Sequence, residues 1–150
     1  MSLPEQRKGV GRPRSASSQQ AILDATLLLV AEEGIQGTHI EAIATRAGVG
    51  KTTIYRRWPS KEAVILDALS ELHGQIKLID TGNLRTDLLT FLHELLHLME
   101  THPLHERLIF RLLGELKVHP EFAQVLYERV YAPRLGFMTQ FVERAEARGE

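Results

Sequence analysis

The chain has 150 residues, 43% of them hydrophobic, and a formal net charge of −1 at pH 7. It has no cysteine, which excludes disulfides and thiolate metal sites and favours a reducing, intracellular compartment. No apolar run approaches the roughly 20 residues of a membrane span, and the first residues lack the apolar core of a signal peptide. We therefore expect a cytoplasmic protein with no membrane partner.

The small net charge conceals two halves of opposite sign. Residues 1–61 hold nine Lys and Arg against five Asp and Glu, whereas residues 62–150 hold nine against fourteen. A basic first half and an acidic second half are typical of a DNA-binding unit on a separate body, although charges scattered over a solvated surface also produce such splits.

Residues 1–15 are rich in proline, glycine and basic side chains, which predicts a disordered basic arm. Its arginines, with Arg12 and Arg14 as the candidates, have two open interpretations. They belong either to a solubilising tail or to an arm that follows DNA phosphates or enters a narrow minor groove.

The first predicted helix begins at a cap on Ser17 or Ser18 and ends at Gly34, a position typical of a left-handed residue. Its buried stripe consists of Ile22, Ala25, Leu29 and Val30. Three helices in the first part of the chain would form a small head over residues 16–60.

The stretch from Thr38 to Lys61 predicts two short helices joined by a tight turn. Thr38 is the expected N-cap, and apolar residues recur at helical spacing at Ile40, Ile43, Ala44 and Ala47. Gly48 ends the first helix and Val49 fills the corner. The second helix, Lys51 to Trp58, directs Ile54 and Trp58 inward. This pattern is typical of a helix-turn-helix unit and indicates DNA as the partner.

Residues 61–150 predict a helical body. Pro59 ends the second reading helix, and Ser60 caps a helix that reaches toward Leu78. Further helices are expected over Leu84 to Glu100, Leu104 to Lys117 and Glu121 to Arg148, with Pro133 kinking or splitting the last. The expected inner side of the Leu84–Glu100 helix carries Leu88, Leu92, Leu95, Leu96 and Met99. No segment predicts a strand, so the fold class is all-α.

The segment THIEAIATRAGVGKTTIYRRWPSKEAV, with AILDATLLLVAEEG before it, resembles the N-terminal domain of TetR-family transcriptional regulators. The resemblance covers Ala16 to Leu69. It is carried by a helix ending in AEEG, then I-A-x-x-A-G-V, then T-I-Y-x-x-W-x-S-K-E. The later segments HPLHERLIFRLLGELKVHPEF and YAPRLGFM resemble the ligand-binding body of one branch of the family.

The resemblance implies a homodimeric repressor whose two heads bind a palindromic operator in double-stranded DNA and are released by a small-molecule effector. By position, it implies reading-helix contacts from Lys51, Thr52, Thr53, Tyr55 and Arg56. It also implies DNA-backbone contacts from Thr38, Arg46, Arg57 and Lys61, with Thr38 and Lys61 at helix N-termini. The residue types agree, because Lys and Arg donate to guanine and threonine methyls contact thymine. We expect the Tyr55 ring to pack inward with its hydroxyl on a phosphate.

Two features depart from the family's pattern. Position 41 is often basic in the family and is Glu41 here, so we expect fewer phosphate contacts from the second helix. Family members usually continue with two further helices that pair the subunits, and these C-terminal helices are missing after Glu150. We therefore expect either a fragment or an unusually short body.

The body also offers candidates for an effector cavity, although sequence alone does not separate cavity lining from packing. The candidates are Phe91, Leu95, Met99, Phe110 and Tyr127.

One motif predicts a different class of protein. His93-Glu94-Leu95-Leu96-His97 is a literal H-E-x-x-H, which places two histidines one helical turn apart beside a candidate general base, Glu94. The residues that follow lack the glycine and third histidine of one large peptidase class. A zinc-dependent hydrolase is the alternative function, and a helical binding module that has lost DNA function is a third. We favour the regulator, with no catalytic residue, metal or cofactor, because the head already accounts for the chain.

Overall fold

The computed structural model describes residues 14–74, 79–101 and 103–150, and within these ranges the chain contains no strand. The all-α prediction is confirmed. The helices are α1 (Arg14–Gly37), α2 (Ile40–Ala47), α3 (Lys51–Tyr55), α4 (Lys61–Gly74), α5 (Leu84–Thr101), α6 (Pro103–Leu116), α7 (Pro120–Leu126) and α8 (Ala132–Arg148), with a π-helical turn, Tyr127–Tyr131, before α8. None of the helices described is both long and apolar enough to cross a membrane.

Helix α1 is the element around which the others pack, because it contacts α2 in the head and both α4 and α6 in the body. Its predicted stripe is confirmed: Ile22, Ala25, Leu29 and Val30 are all buried. The same core continues through Ile65 and Leu69 into α6 and α7. Head and body therefore share one hydrophobic core. Each such aliphatic side chain contributes about 1.5–3 kcal/mol on burial.

The two ends of α1 differ from the prediction in opposite ways. The helix begins at Arg14, about one turn earlier than the predicted cap at Ser17 or Ser18. At the other end Gly34 has φ +81° and ψ 179°, so regular helical geometry stops there as predicted. Only glycine adopts this conformation readily. The predicted arm, including Arg12, lies outside the described residues except for its last two positions.

The predicted inner face of α5 is wrong. Leu92 is 50% exposed and Leu96 58%, whereas the buried residues of α5 are Asp87 and Leu98. Helical spacing of leucines identifies an apolar face but does not say which element covers it. Within the described residues, the main packing partners of α5 are α6 and α8.

Pro133 does split the last helix, as predicted, and the break is a π-helical turn rather than a simple kink. The Ala132 N–H donates to the Tyr127 carbonyl, one residue farther back than in an α-helix. Pro133 has no N–H, and its ring would clash with the carbonyl four residues earlier in a regular helix. A wider turn at that point relieves the clash. The Arg134 guanidinium then donates to the Val130 carbonyl at 2.6 Å and to the Ser70 carbonyl of α4 at 3.2 Å.

Candidate nucleic-acid interface

The turn between α2 and α3 has the geometry that the sequence predicts. Gly48 is left-handed, with φ +67° and ψ 33°, and its N–H donates to the Thr45 carbonyl at 3.2 Å. The Val49 N–H donates to the Ala44 carbonyl at 3.0 Å, and the Val49 side chain packs against the core. These bonds satisfy carbonyls at the end of α2 and fix the angle at which α3 leaves it.

Helix α3 ends at Tyr55, three residues before the predicted end at Trp58, and burial of one side of residues 51–58 determines which side chains face outward. Ile54 is fully buried and Trp58 is 5% exposed, which confirms their assignment to the core. The Trp58 Nε1–H also donates to the Asp67 carboxylate of α4 at 2.9 Å. Sequence reasoning missed this bond, although an indole N–H that is buried generally needs an acceptor. The predicted cap of α4 is confirmed, since the Ser60 hydroxyl accepts from the Ala63 N–H at 3.2 Å.

The outward side of α3 collects the predicted reading residues. Lys51, Thr52 and Arg56 are exposed, and Thr53 is half-buried. Tyr55 is 52% exposed, so its ring does not pack inward as expected. The structure thus gives one surface of two cations, two hydroxyls and an exposed phenol.

Most basic side chains around α3 have exposed partners in the free protein. Lys51 Nζ lies 3.2 Å from the Glu41 carboxylate, Arg46 Nη1 lies 2.7 Å from the Glu32 carboxylate, and Arg57 donates to the Gln19 side chain. Exposed ion pairs contribute at most about 1 kcal/mol. Phosphate oxygens can therefore replace these partners at small cost.

Arg56 differs from its neighbours, because its guanidinium makes no hydrogen bond or ion pair with any residue in the described part of the chain. It is the side chain most directly available to a ligand of α3.

Glu41 occupies the position where a basic residue was expected from the resemblance. Its pKa is lowered, first by a hydrogen bond from its own backbone N–H and then by the Lys51 ammonium. The carboxylate therefore stays ionised beside α3 and offsets part of the Lys51 charge.

Two residues predicted at the edges of the DNA surface have backbone partners instead. Thr38 is fully buried, and its hydroxyl donates to the Gly34 carbonyl at 2.6 Å. The predicted N-cap at Thr38 is wrong, because the cap position is His39 and no side chain caps α2. A buried hydroxyl already donating to a carbonyl does not reach a phosphate in this conformation. The Lys61 ammonium donates to the carbonyls of Ile35 and Gln36, each at 3.1 Å.

Arg12 and Arg14 are the candidate DNA contacts of the N-terminal arm. Arg12 lies outside the described residues, and Arg14 is the first residue of α1.

The two histidines of the H-E-x-x-H motif do not build a metal centre in the described ranges. His93 and His97 are exposed on α5, and no group of three potential ligands occurs among the residues described.

The residues predicted to line an effector cavity differ in exposure. Phe110 is 67% exposed and Tyr127 51% exposed, whereas Phe91, Leu95 and Met99 are half-buried. A crevice of about 310 Å³ lies elsewhere, between α1, α4 and α6, and none of the five residues lines it. Its lining consists of Gln20, Leu23, Asp24, Leu27, Leu28, Ala68, Glu71, Leu72, Leu104, His105 and Leu108.

A polar pair that sequence reasoning missed joins α4 to the π-helical turn. His73 Nδ1 lies 2.7 Å from the Leu69 carbonyl, and the Tyr131 hydroxyl lies 3.3 Å from His73 Nε2. Burial lowers the pKa of His73, so the neutral ring is favoured. Neutral His73 donates from Nδ1 and accepts at Nε2, which satisfies both contacts.

Comparison with known proteins identifies both halves of the chain. Residues 22–68 match the family described as "Bacterial regulatory proteins, tetR family", and residues 78–150 match "Tetracyclin repressor-like, C-terminal domain".

Individual relatives agree with these matches. The HTH-type transcriptional regulator YdeS of Bacillus subtilis is 31% identical over 141 residues, covering 93% of this chain and 70% of the relative. A putative tetR family regulator from Shewanella sp. PV-4 superposes with a TM-score of 0.68 at 25% identity, covering 89% of this chain and 72% of the other. The Flavonoid-responsive Regulator FrrA gives a TM-score of 0.64 at 26% identity, covering 89% and 70%. The chain belongs to the TetR family of helix-turn-helix transcriptional regulators.

Proposed function

We propose that the exposed side of α3 enters the major groove of an operator in double-stranded DNA, with Lys51, Thr52, Thr53, Tyr55 and Arg56 as its contacts. The observation that carries the proposal is the division of α3 into two sides. Ile54 and Trp58 anchor one side in the core, so the cations and hydroxyls stand on the other. Lysine and arginine donate to guanine acceptors in the major groove, and threonine methyls contact thymine.

Residues beside α3 contact the DNA backbone in this proposal. Arg46 and Arg57 exchange Glu32 and Gln19 for phosphates, as their exposed partners permit. Lys61 also takes a phosphate, since an ammonium has three N–H donors and two carbonyls occupy two of them. Thr38 has no such donor, because its hydroxyl is buried and bound to Gly34. Arg12 and Arg14 follow the backbone or the minor groove from the N-terminal side.

The proposed regulator acts as a homodimer on a palindromic operator in the cytoplasm. A five-residue α3 contacts only a few base pairs, and two heads on successive major grooves double the contact area. Repression is typical of the family, which consists of regulators rather than enzymes. The zinc-dependent hydrolase alternative has no support.

We propose the crevice between α1, α4 and α6 as the effector site, in place of the five residues suggested by the sequence. Its floor is aliphatic, with Leu23, Leu72 and Leu108, and its polar residues include the carboxylates Asp24 and Glu71. A small apolar molecule with a cationic or hydrogen-bond-donating group fits this chemistry. The name of the flavonoid-responsive relative supports control by a small organic molecule.

The DNA surface is tested with a duplex enriched by the wild-type protein from a random double-stranded library. We expect Lys51→Ala with Arg56→Ala to weaken binding to that duplex by about 10- to 100-fold and to flatten its salt dependence. The matched control is Arg107→Ala with Lys117→Ala, which removes two exposed cations from the body. Fluorescence anisotropy over a series of salt concentrations measures both quantities. Equal affinities of the two double variants would refute the assignment of α3 as the reading surface.

A further inference from the structure

Residues 34–38 comprise the last turn of α1 after the kink at Gly34 and Thr38, and are called the connection below. The connection is held by charged side chains from two different helices of the body. The Ile35 N–H donates to the Glu115 carboxylate of α6 at 2.7 Å. The Lys61 ammonium of α4 donates to the Ile35 and Gln36 carbonyls, each at 3.1 Å. An acceptor from α6 and a donor from α4 therefore bind three successive peptide units, those that join residues 34 to 37.

Gly34 packs closely against the Glu115 carboxylate. Its φ of +81° favours glycine, and a Cβ at this position would lie 2.7 Å from Glu115 Cδ and 2.9 Å from Arg111 Nε. The Glu115 carboxylate thus occupies the space that a side chain at residue 34 would need. Any other residue there requires the carboxylate to move.

Glu115 is poorly placed for helix α6 itself. The residue lies in the last turn of α6, where the partial negative charge of the helix end disfavours a carboxylate. Arg111, one turn earlier, offsets this with its Nε 3.4 Å from the carboxylate. The second favourable partner of Glu115 is the Ile35 N–H of the connection, 80 positions away in the chain.

The connection leads directly into the first reading helix. Both the N–H and the hydroxyl of Thr38 donate to the Gly34 carbonyl, at 3.1 and 2.6 Å, and α2 begins two residues later at Ile40. A displacement of the connection therefore moves the start of α2. The helices that hold it, α4 and α6, also line the crevice between α1, α4 and α6.

We infer that Glu115 and Lys61 form a clamp that positions the DNA-reading helices relative to the body. The inference rests on the proposed function, and it adds the route by which the body controls the head. Glu115 touches no DNA and acts only through the connection, so it is a positioning residue. Loosening the clamp misplaces α2 and α3 and weakens DNA binding.

The central test compares Glu115→Ala and Glu115→Gln in the full chain, with the duplex enriched by the wild-type protein. Both variants remove a negative charge, which by Coulomb attraction alone favours binding to DNA. Only the glutamine keeps an acceptor for the Ile35 N–H. We expect alanine to weaken duplex binding about tenfold, as for the loss of one charged hydrogen bond, and glutamine to stay within about threefold of the wild type.

The control and second readout separate positioning from stability. Glu106→Ala removes an exposed carboxylate from the same helix and leaves the affinity unchanged. All measurements are made at a temperature at which circular dichroism shows each variant to be folded. In amide NMR spectra, the Ile35 resonance moves upfield and exchanges faster in Glu115→Ala, and both changes are largely reversed in Glu115→Gln.

The outcomes distinguish the clamp from the function on which it rests. Wild-type affinity in Glu115→Ala, or equal losses in the alanine and glutamine variants, overturns the clamp alone. Failure of the wild-type chain to enrich any duplex overturns the proposed function and the clamp together. A tenfold loss that glutamine restores, with the matching change at the Ile35 amide, supports it.

Discussion

Substitution of Gly34 by alanine tests the contact between α1 and α6 through the stability of the fold. Gly34 has φ +81° and ψ 179°, a backbone conformation that costs other residues about 1–3 kcal/mol. The added Cβ also clashes with the Glu115 carboxylate, and we expect the clash to break the 2.7 Å hydrogen bond from the Ile35 N–H to that carboxylate. That bond contributes about 1.5 kcal/mol, at the low end for a charged acceptor, since the Glu115 side chain is 20% exposed. We expect Gly34→Ala to lower the free energy of unfolding by about 2.5–4.5 kcal/mol, the two effects together.

The two effects separate in a double-mutant cycle with Glu115→Ala. Once the carboxylate is absent, Gly34→Ala costs only the backbone strain, so the double variant should be about 1.5 kcal/mol more stable than the two single losses predict. Urea unfolding followed by circular dichroism measures all four proteins. Gly114→Ala is the control, because it lies within α6 with open space around it and should stabilise the chain by up to about 1 kcal/mol. Losses that add to within about 0.5 kcal/mol would show that Gly34 and Glu115 act independently.

Two further expectations concern contacts that only the structure revealed. Trp58→Phe keeps the buried ring but removes the 2.9 Å bond to Asp67, and should lower the unfolding free energy by about 1 kcal/mol; an unchanged urea midpoint would contradict this. Burial lowers the pKa of His73, so the unfolded chain takes up this proton at a higher pH than the folded chain. The contribution of neutral His73 is complete above the ordinary pKa of about 6.5 and is lost as the pH falls below it toward the folded-state pKa. Between pH 7.5 and 5.5 (about one unit either side of 6.5), His73→Gln should therefore lose less stability in urea titrations than the wild type.

The sequence predicted the head well because its signals are local. Gly48 at the end of an apolar helix, Ser60 three residues before Ala63, and the inward spacing of Ile54 each specify geometry within a few residues. Helix existence and the all-α class follow from the same short-range periodicity.

The errors lie where one of several possible contacts, local or distant in the chain, is decided by the folded structure. Thr38 has the chemistry of an N-cap, but its hydroxyl bonds back to Gly34 at the point where the chain leaves α1. The spacing of the leucines in α5 predicts an apolar face but does not predict which helix packs against it. The Glu115 contact joins residues 80 positions apart, and the helical spacing of residues predicts only contacts within a few positions of each other.

Lys61 belongs both to the proposed DNA surface and to the clamp. The resemblance implied a phosphate contact for this residue, and the structure gives its ammonium two carbonyl partners in the α1–α2 connection. These roles are compatible, because the ammonium has three donors and the carbonyls take two. A phosphate on the third donor would restrict the motion of the Lys61 side chain and so stabilise its hydrogen bonds to the Ile35 and Gln36 carbonyls. In the proposed complex, DNA and the body therefore act on one side chain: binding of DNA stabilises the clamped connection, and a clamped connection favours DNA. By thermodynamic reciprocity, an effector that separates α4 from α6 weakens DNA binding by the same factor by which DNA weakens the effector.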